Sequence, residues 1–435
     1  MEKTSPKIMP GFMELLPENQ ILFNKMYDTI REVYERFGYL PLDTPILEYS
    51  SVLLAKAGGE TEKQIYRFNR GDTDISMRFD LTVPLARYAS QYYNDLAFPF
   101  KRYQIGKVYR GERPQKGRFR EFYQCDIDVI GENLSLNYDA EIPTLIYTLF
   151  KELNFGKFTI RMNNRKVLNG LFNELNLADK SSDVLRAIDK LEKIGEDGVR
   201  EELQLLDIDK DTIDKIITFV SIKGTNDEIV KALLDLDIEN PMFQEGVNDL
   251  KETVKKIRLF GVEEDYFTID LTIARGLDYY TGTVYETKLD DYPGLGSICS
   301  GGRYDDLTKY YTDQKLQGIG ISIGLTRLFS QLLEVGIIAS KEKTLTKVLI
   351  IPFSKENMEY SIEISNALRS NNIICDIYYE EKGFKQKLKY ANRLNIPYIC
   401  IIGEDEEKNK KVALKNMETG EQEVLTIEEM LKKLK

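Results

Sequence analysis

The residues from 121 to 130 restrict the fold more than any others. Their composition predicts a β-strand, and the two-residue period of a strand puts Phe122, Gln124, Asp126 and Asp128 on one face. One amide and two carboxylates belong inside a sheet only where they line a polar site. Just upstream, Arg110, Arg113, Lys116, Arg118 and Arg120 are interleaved with Gly111 and Gly117, in a loop that follows a strand predicted over 102–108. Guanidinium groups make paired hydrogen bonds to phosphate, so such a loop suits a polyanion. The alternative is an exposed basic hairpin with no ligand.

At 435 residues the chain is too long for one ordinary compact domain and fits two or three. Strand-like composition over 74–77, 158–163, 266–271, 282–288 and 297–300 adds to the two strands above and predicts an antiparallel or mixed sheet. Between 168 and 257 the apolar residues fall three or four apart, as at Val184, Ile188, Leu191 and Ile194. That spacing predicts a helical insertion that interrupts the sheet. A helix predicted over 20–37 leads into an extended segment over 39–48, where Pro41 and Pro45 fit an edge strand or an interface. Beyond 346 the rhythm changes: strands at 348–352, 373–379 and 397–403 alternate with helices at 355–369 and 384–394. This predicts a small α/β domain after a hinge at 341–346. Four parts result, at 1–167, 168–257, 258–340 and 347–435.

The sequence contains no histidine, which excludes every Ser-His-Asp, Cys-His and His-metal mechanism. No apolar run reaches the roughly 18 residues of a membrane span, and the first residues lack the apolar core of a secretory signal. Cys125, Cys299, Cys375 and Cys400 lie too far apart for a zinc ribbon or a disulfide scaffold, so a reducing compartment is expected. A net charge of -11 argues against a protein that coats nucleic acid nonspecifically. From Thr346 onward acidic and basic side chains balance, so the acidic excess lies upstream.

Several motifs carry a family resemblance. Tyr109-Arg110-Gly111-Glu112, followed by Phe122, resembles the second signature motif of class II aminoacyl-tRNA synthetases, and Glu112 to Arg118 is similar to its histidyl members. Arg275 to Glu286, with Tyr279-Tyr280, resembles the first histidine-specific motif, and Ser300-Gly-Gly-Arg303-Tyr304-Asp305 the second. Gly318 to Arg327 is similar to motif 3, and Gly38 to Glu48 to motif 1. Lys389 through Glu404 is similar to the anticodon-binding domain. Together these matches cover nearly the whole chain in order. There are two departures: Asp80 stands where many bacterial members have Glu, and Thr326 where an acid usually precedes the motif 3 arginine.

The resemblance to the histidyl-tRNA synthetase family implies an α+β fold. Its catalytic sheet is antiparallel with flanking helices, and it carries a helical insertion domain and a C-terminal α/β anticodon-binding domain. The implied reaction joins L-histidine to histidine tRNA through a histidyl-adenylate, with ATP as substrate and Mg2+ accompanying it. By the same resemblance Arg110 and Arg275 hold the α-phosphate as the catalytic pair. Asp80, Thr82 and Gln124 hold the histidine ammonium, while Asp128, Tyr279 and Tyr280 hold the ring. Glu112 accepts from the adenine amino group, Arg118 reaches the pyrophosphate end, and Phe122 and Arg327 sandwich the adenine. Arg113, Gln115 and Lys116 contact the acceptor end of the tRNA. Lys385, Lys387, Lys389 and Arg393 either read the anticodon or form a solvated helix face.

A homodimer, a cytoplasmic location, no membrane partner and no protein-bound structural metal are expected. The alternative is a non-catalytic histidine-sensing or regulatory paralogue of histidine biosynthesis. Such proteins usually lack the α/β tail and the catalytic arginine, both of which this sequence has. The missing histidines fit two readings: drift under a biased composition, or a chain that can still be translated when charged histidine tRNA runs out.

Overall fold

The computed structural model describes residues 3–55, 60–113, 117–273, 280–305 and 307–435. The chain divides into two compact units, Met1–Met13 with Met26–Ile338, and Glu14–Lys25 with Ala339–Lys435.

In the first unit the strands are, in chain order, β1 (Leu40–Pro41), β2 (Leu47–Tyr49), β3 (Arg67–Arg70), β4 (Thr73–Met77), β5 (Phe100–Tyr109) and β6 (Glu121–Gly131). There follow β7 (Phe158–Asn164), β8 (Phe267–Ile269), β9 (Tyr280–Leu289), β10 (Cys299–Tyr304) and β11 (Gln317–Gly324). Eight of them form one sheet in the order β1-β5-β6-β11-β10-β9-β7-β8, and β2-β4-β3 form a small separate sheet. Only the outermost pairings of the large sheet, β1 with β5 and β7 with β8, are parallel. The proline-bearing strand β1 lies at the edge, where a missing N–H does no harm.

One face of this sheet is apolar and covered by helices. Cys125, Ile127 and Val129 of β6 are fully buried there. Helix Pro17–Arg36 brings Ile30, Val33 and Tyr34 into the core, and the Tyr34 hydroxyl donates to the Cys125 carbonyl at 3.0 Å. Helix Asn137–Leu153 buries Ile142, Leu145, Ile146 and Leu149, and Tyr285 of β9 donates to its Asp139 carbonyl at 2.7 Å. Arg303 of β10 adds an ion pair to the fully buried Asp139 side chain. From Arg165 to Leu259 the chain is helical, between β7 and β8. Three of its helices start at these side-chain caps: Asp209 accepts from the Thr212 N–H, Thr225 and Glu228 form a capping box, and Asn240 caps Pro241–Leu259.

The second unit contains β12 (Val348–Pro352), β13 (Cys375–Ile377), β14 (Tyr398–Ile402), β15 (Lys411–Asn416) and β16 (Gln422–Thr426), in the order β13-β12-β14-β15-β16. The first three are parallel and the last two join antiparallel. Strand β12 is apolar on both faces, as expected of a parallel strand between helices. Val348 and Ile350 pack with Leu368, Val412 and Met430, whereas Leu349 and Ile351 pack with Ala391 and Ile399. The β15–β16 hairpin and helix Ile427–Leu434 were not anticipated from the sequence. The helix starts at a Thr426–Glu429 capping box, a pattern present in the sequence itself.

Lys387 departs from the expected solvated face. It is 6% exposed and donates to the Pro352 carbonyl at 2.7 Å, while Lys385, Lys389 and Arg393 are exposed. No described helix is long and apolar enough to cross a membrane.

Candidate active site

The other face of the large sheet is polar, and strand register explains how. Cross-strand partners share a face. One row runs Arg161, Glu286, Ser300, Ser322, Asp126 and Gln104, across β7, β9, β10, β11, β6 and β5. The next row runs Asn163, Val284, Gly302, Gly320, Asp128 and Arg102 over the same strands. In the middle of this second row a side chain would not fit. A Cβ on Gly320 would lie 2.3 Å from the Asp128 Oδ1, so glycine here lets Asp128 lean across β11.

Above these rows is a cavity of about 520 Å³ lined by Asp80, Thr82, Arg110, Gln124, Asp126, Asp128, Tyr280, Glu286 and Arg327, among others. Its volume suits a small ligand with convergent polar groups. Arg102, fully buried, pairs with Asp128 Oδ2 at 2.6 Å and donates to the Leu81 carbonyl at 3.2 Å. The Tyr304 hydroxyl donates to Asp128 Oδ1 at 2.8 Å. Burial pushes the Asp128 carboxyl up to about 6 and that of Asp126 up to about 7, with Arg102 pulling both the other way. Burial raises Asp80 as well, opposed by the Val83 and Thr82 N–H groups, which donate to its Oδ1 at 2.9 and 3.1 Å.

Arg110 has its guanidinium between two rings, 4.3 Å from the Phe79 centroid and 5.1 Å from that of Phe122. Its Nε donates to the Phe79 carbonyl at 3.3 Å. Burial lowers the guanidinium's proton affinity and the Asp80 and Glu112 carboxylates restore part of it; an arginine stays charged through such shifts.

The residues singled out in the sequence are thus mostly brought together, with differences in detail. Phe122 presents its face to Arg110, while Arg327, whose Nη2 donates to the Leu295 carbonyl at 3.2 Å, lines the same cavity. Glu112 and Arg118, assigned to opposite ends of a nucleotide, pair with each other at 3.1 Å. Asp128 has both oxygens engaged by protein groups, so any ring it holds shares it with Arg102 and Tyr304. Tyr280, like Tyr311, packs against the cluster of Ala86 and Tyr304. Arg113 is exposed. Arg275, Tyr279, Gln115 and Lys116 lie outside the described residues. Thr326, the departure in motif 3, is buried and its Oγ1 accepts from the Tyr123 N–H at 2.8 Å, tying helix Leu325–Glu334 to β6. Among the described residues no group of three or more Cys, Asp or Glu side chains is placed to hold a metal ion.

The sequence model of the histidyl-tRNA synthetase family matches residues 11–328. The chain belongs to that family. An anticodon binding domain model matches residues 347–435. Among curated proteins, the histidine–tRNA ligase of Clostridium tetani is 62% identical over 99% of this chain and 98% of its own length. That of Finegoldia magna is 48% identical over 99% of each. The crystal structure of histidyl-tRNA synthetase from Nostoc sp. PCC 7120 superposes with a TM-score of 0.93 at 41% identity, covering 99% of this chain and 100% of that one. A structure described as an ATP phosphoribosyltransferase regulatory subunit/histidyl-tRNA synthetase from Bacillus halodurans C shares the fold. Its TM-score is 0.76 at 21% identity, over 92% of this chain and 100% of that one.

Sequence reasoning missed some residues of this histidyl-tRNA synthetase family member's cavity. Arg102, the partner of the cavity's Asp128, has no place in the sequence reading beyond a strand, and Asp126 is on the right face there without a role. Ser322, Tyr304 and Glu286 fall inside the motifs named above but have no individual role in that reading, though all three line the cavity. The alternation Gly318, Gly320, Ser322, Gly324 carried the signal for Ser322, since a strand with that period puts the serine beside the two glycines on one face.

Proposed function

We propose that the chain charges histidine tRNA with L-histidine in an ATP-dependent reaction that passes through a histidyl-adenylate and releases pyrophosphate. The observation that carries this reading is the polar cavity on the sheet. It brings a half-buried Arg110 together with the acidic and amide groups of β6, in a chain 62% identical to a histidine–tRNA ligase. A carboxylate attacking the α-phosphate builds charge on phosphate oxygens, and fixed guanidinium groups stabilise that charge without proton transfer. Arg110, held between Phe79 and Phe122, would meet the α-phosphate from one side and Arg275 from another.

Glu112 and Arg118 would part from each other to take the adenine amino group and the pyrophosphate end. Phe122 and Arg327 would enclose the adenine. Asp80, Thr82 and Gln124 would hold the histidine ammonium, and Asp128, Tyr280 and Tyr279 the ring. Arg113, Gln115 and Lys116 would contact the acceptor end of the tRNA. Mg2+ would arrive with the nucleotide as part of the substrate.

Exposed apolar side chains around the small sheet and the edge strand, Leu40, Leu47, Tyr49 and Phe68, support a homodimer formed through the first motif. The division at 168–257 into a separate insertion domain, and a cytoplasmic place of work, are parts of the same proposal.

The test is histidine-dependent exchange of pyrophosphate into ATP, with Arg275→Ala as the control. Exchange with histidine alone, lost in the variant, is the expected result. Tight histidine binding without exchange would move the chain to the sensing or regulatory class.

A further inference from the structure

The polar row contains a carboxylate with an oxygen to spare. Asp126 is 2% exposed and lines the cavity, with Gln104 and Ser322 as its partners in register. Gln104 turns its Nε2 toward Asp43 and Thr44, at 3.0 and 3.2 Å. Ser322 behaves differently: its Oγ accepts from Gln124 Nε2 at 2.7 Å and its hydroxyl hydrogen-bonds Asp126 in turn. This relay orients both side chains. It also leaves Gln124 Oε1 and Asp126 Oδ1 buried without a hydrogen-bond partner among the described residues. Of the neighbouring carboxylates, Asp128 is committed at both oxygens to Arg102 and Tyr304, while Asp80 has its Oδ1 held by two backbone N–H groups.

A buried acceptor left unmade is costly, and two on one strand face point to a ligand group that brings donors only. An ammonium has three N–H donors and no acceptor, whereas a neutral imidazole has one of each. We infer that Asp126, with Gln124 Oε1 beside it, holds the α-ammonium of the amino-acid ligand and is a specificity-determining residue of this site. The inference deepens the histidine reading above and rests on it. It gives the ammonium a second carboxylate with an open oxygen, in addition to Asp80, Thr82 and Gln124.

Calorimetric titration with two histidine analogues tests it. L-Histidinol keeps the ring and the ammonium; imidazolepropionate keeps the ring and lacks the ammonium. Against wild-type protein, Asp126→Asn is expected to weaken histidinol binding by about tenfold or more, the loss expected for a charge-assisted hydrogen bond, and to leave imidazolepropionate binding unchanged. Ser322→Ala, which removes the orienting hydroxyl and keeps the carboxylate, is expected to weaken histidinol alone and by less. It provides the same comparison if Asp126→Asn fails to fold. Equal losses for both analogues would overturn the inference in favour of a ring contact or a general distortion. No loss for histidinol would overturn it outright. Wild-type protein that binds neither analogue would overturn the histidine reading itself, and this inference with it.

Discussion

Strands β6 and β12 are both buried, and they are built from opposite materials. Every residue of β12 is apolar, and its two faces lie in two hydrophobic clusters. Strand β6 is apolar on one face only; on the other it buries Gln124, Asp126 and Asp128 against Arg102. Burying apolar surface stabilises a sheet at about 25 cal/mol per Å². Burying carboxylates stabilises nothing by itself and requires partners that hold each charge or proton. The contrast shows where the molecule has put binding ahead of stability: the tail sheet is made to hold together, and the large sheet to keep polar groups dry and aimed.

The sharpest way to break this contrast is Arg102→Met, which leaves Asp128 buried without its counter-charge. A loss of about 3–5 kcal/mol is expected in denaturant unfolding. A loss below about 1 kcal/mol would mean that the polar face stands without its arginine. In the tail, Ile350→Ala removes fully buried methyl groups and is expected to cost about 2–5 kcal/mol, with histidinol affinity unchanged. A fall in affinity would show that the apolar sheet also serves binding.

The smallest effect has the opposite sign. The Asp126 carboxyl is raised from 3.8 to about 7 in the fold, so its protonated form is the favoured one. Its contribution to stability is fully present below the unfolded value and is lost as pH rises through the folded value. Wild-type stability should therefore fall between about pH 4 and pH 7, a window that Asp128 shares through its own rise to about 6. Asp126→Asn should flatten this slope and be more stable than wild type at pH 8, while binding histidinol worse. Unfolding curves taken at pH 5 and pH 8 check it. A variant less stable at pH 8 would show that the carboxylate is a structural asset, and the trade between binding and stability would disappear.

How much of this was legible in the sequence follows the same divide. The three parallel strands of the tail, β12 to β14, declared themselves through apolar runs alternating with helices, because a strand buried on both faces writes its burial into consecutive residues; the β15–β16 hairpin did not. The polar face of β6 was equally plain from Gln124, Asp126 and Asp128. Its partners were not. Arg102 and Ser322 meet β6 through register with β5 and β11, and register is set by the whole sheet, so no local pattern announces it. Strand β11 hid further because its glycines carry little strand propensity. Lys387 deceived in the other direction: in a run of alternating lysines nothing local distinguishes the one whose chain folds inward to Pro352.

The row across the sheet also has a history written in time. Gln104 and Asp126 are made before the helical stretch, and Glu286, Ser300 and Ser322 after it. On a ribosome adding about 5–20 residues per second, Asp126 is synthesised about 10–40 s before Ser322. Until β11 is made, β6 has an open edge, and its carboxylates stand in water, where they are charged. When β11 closes against it, that face gains its hydrogen bonds and its burial together. The newborn chain thus carries ionised acids on that strand's edge through the interval in which an unpaired strand is most exposed to other chains, and it sheds their hydration only when the binding site comes into being.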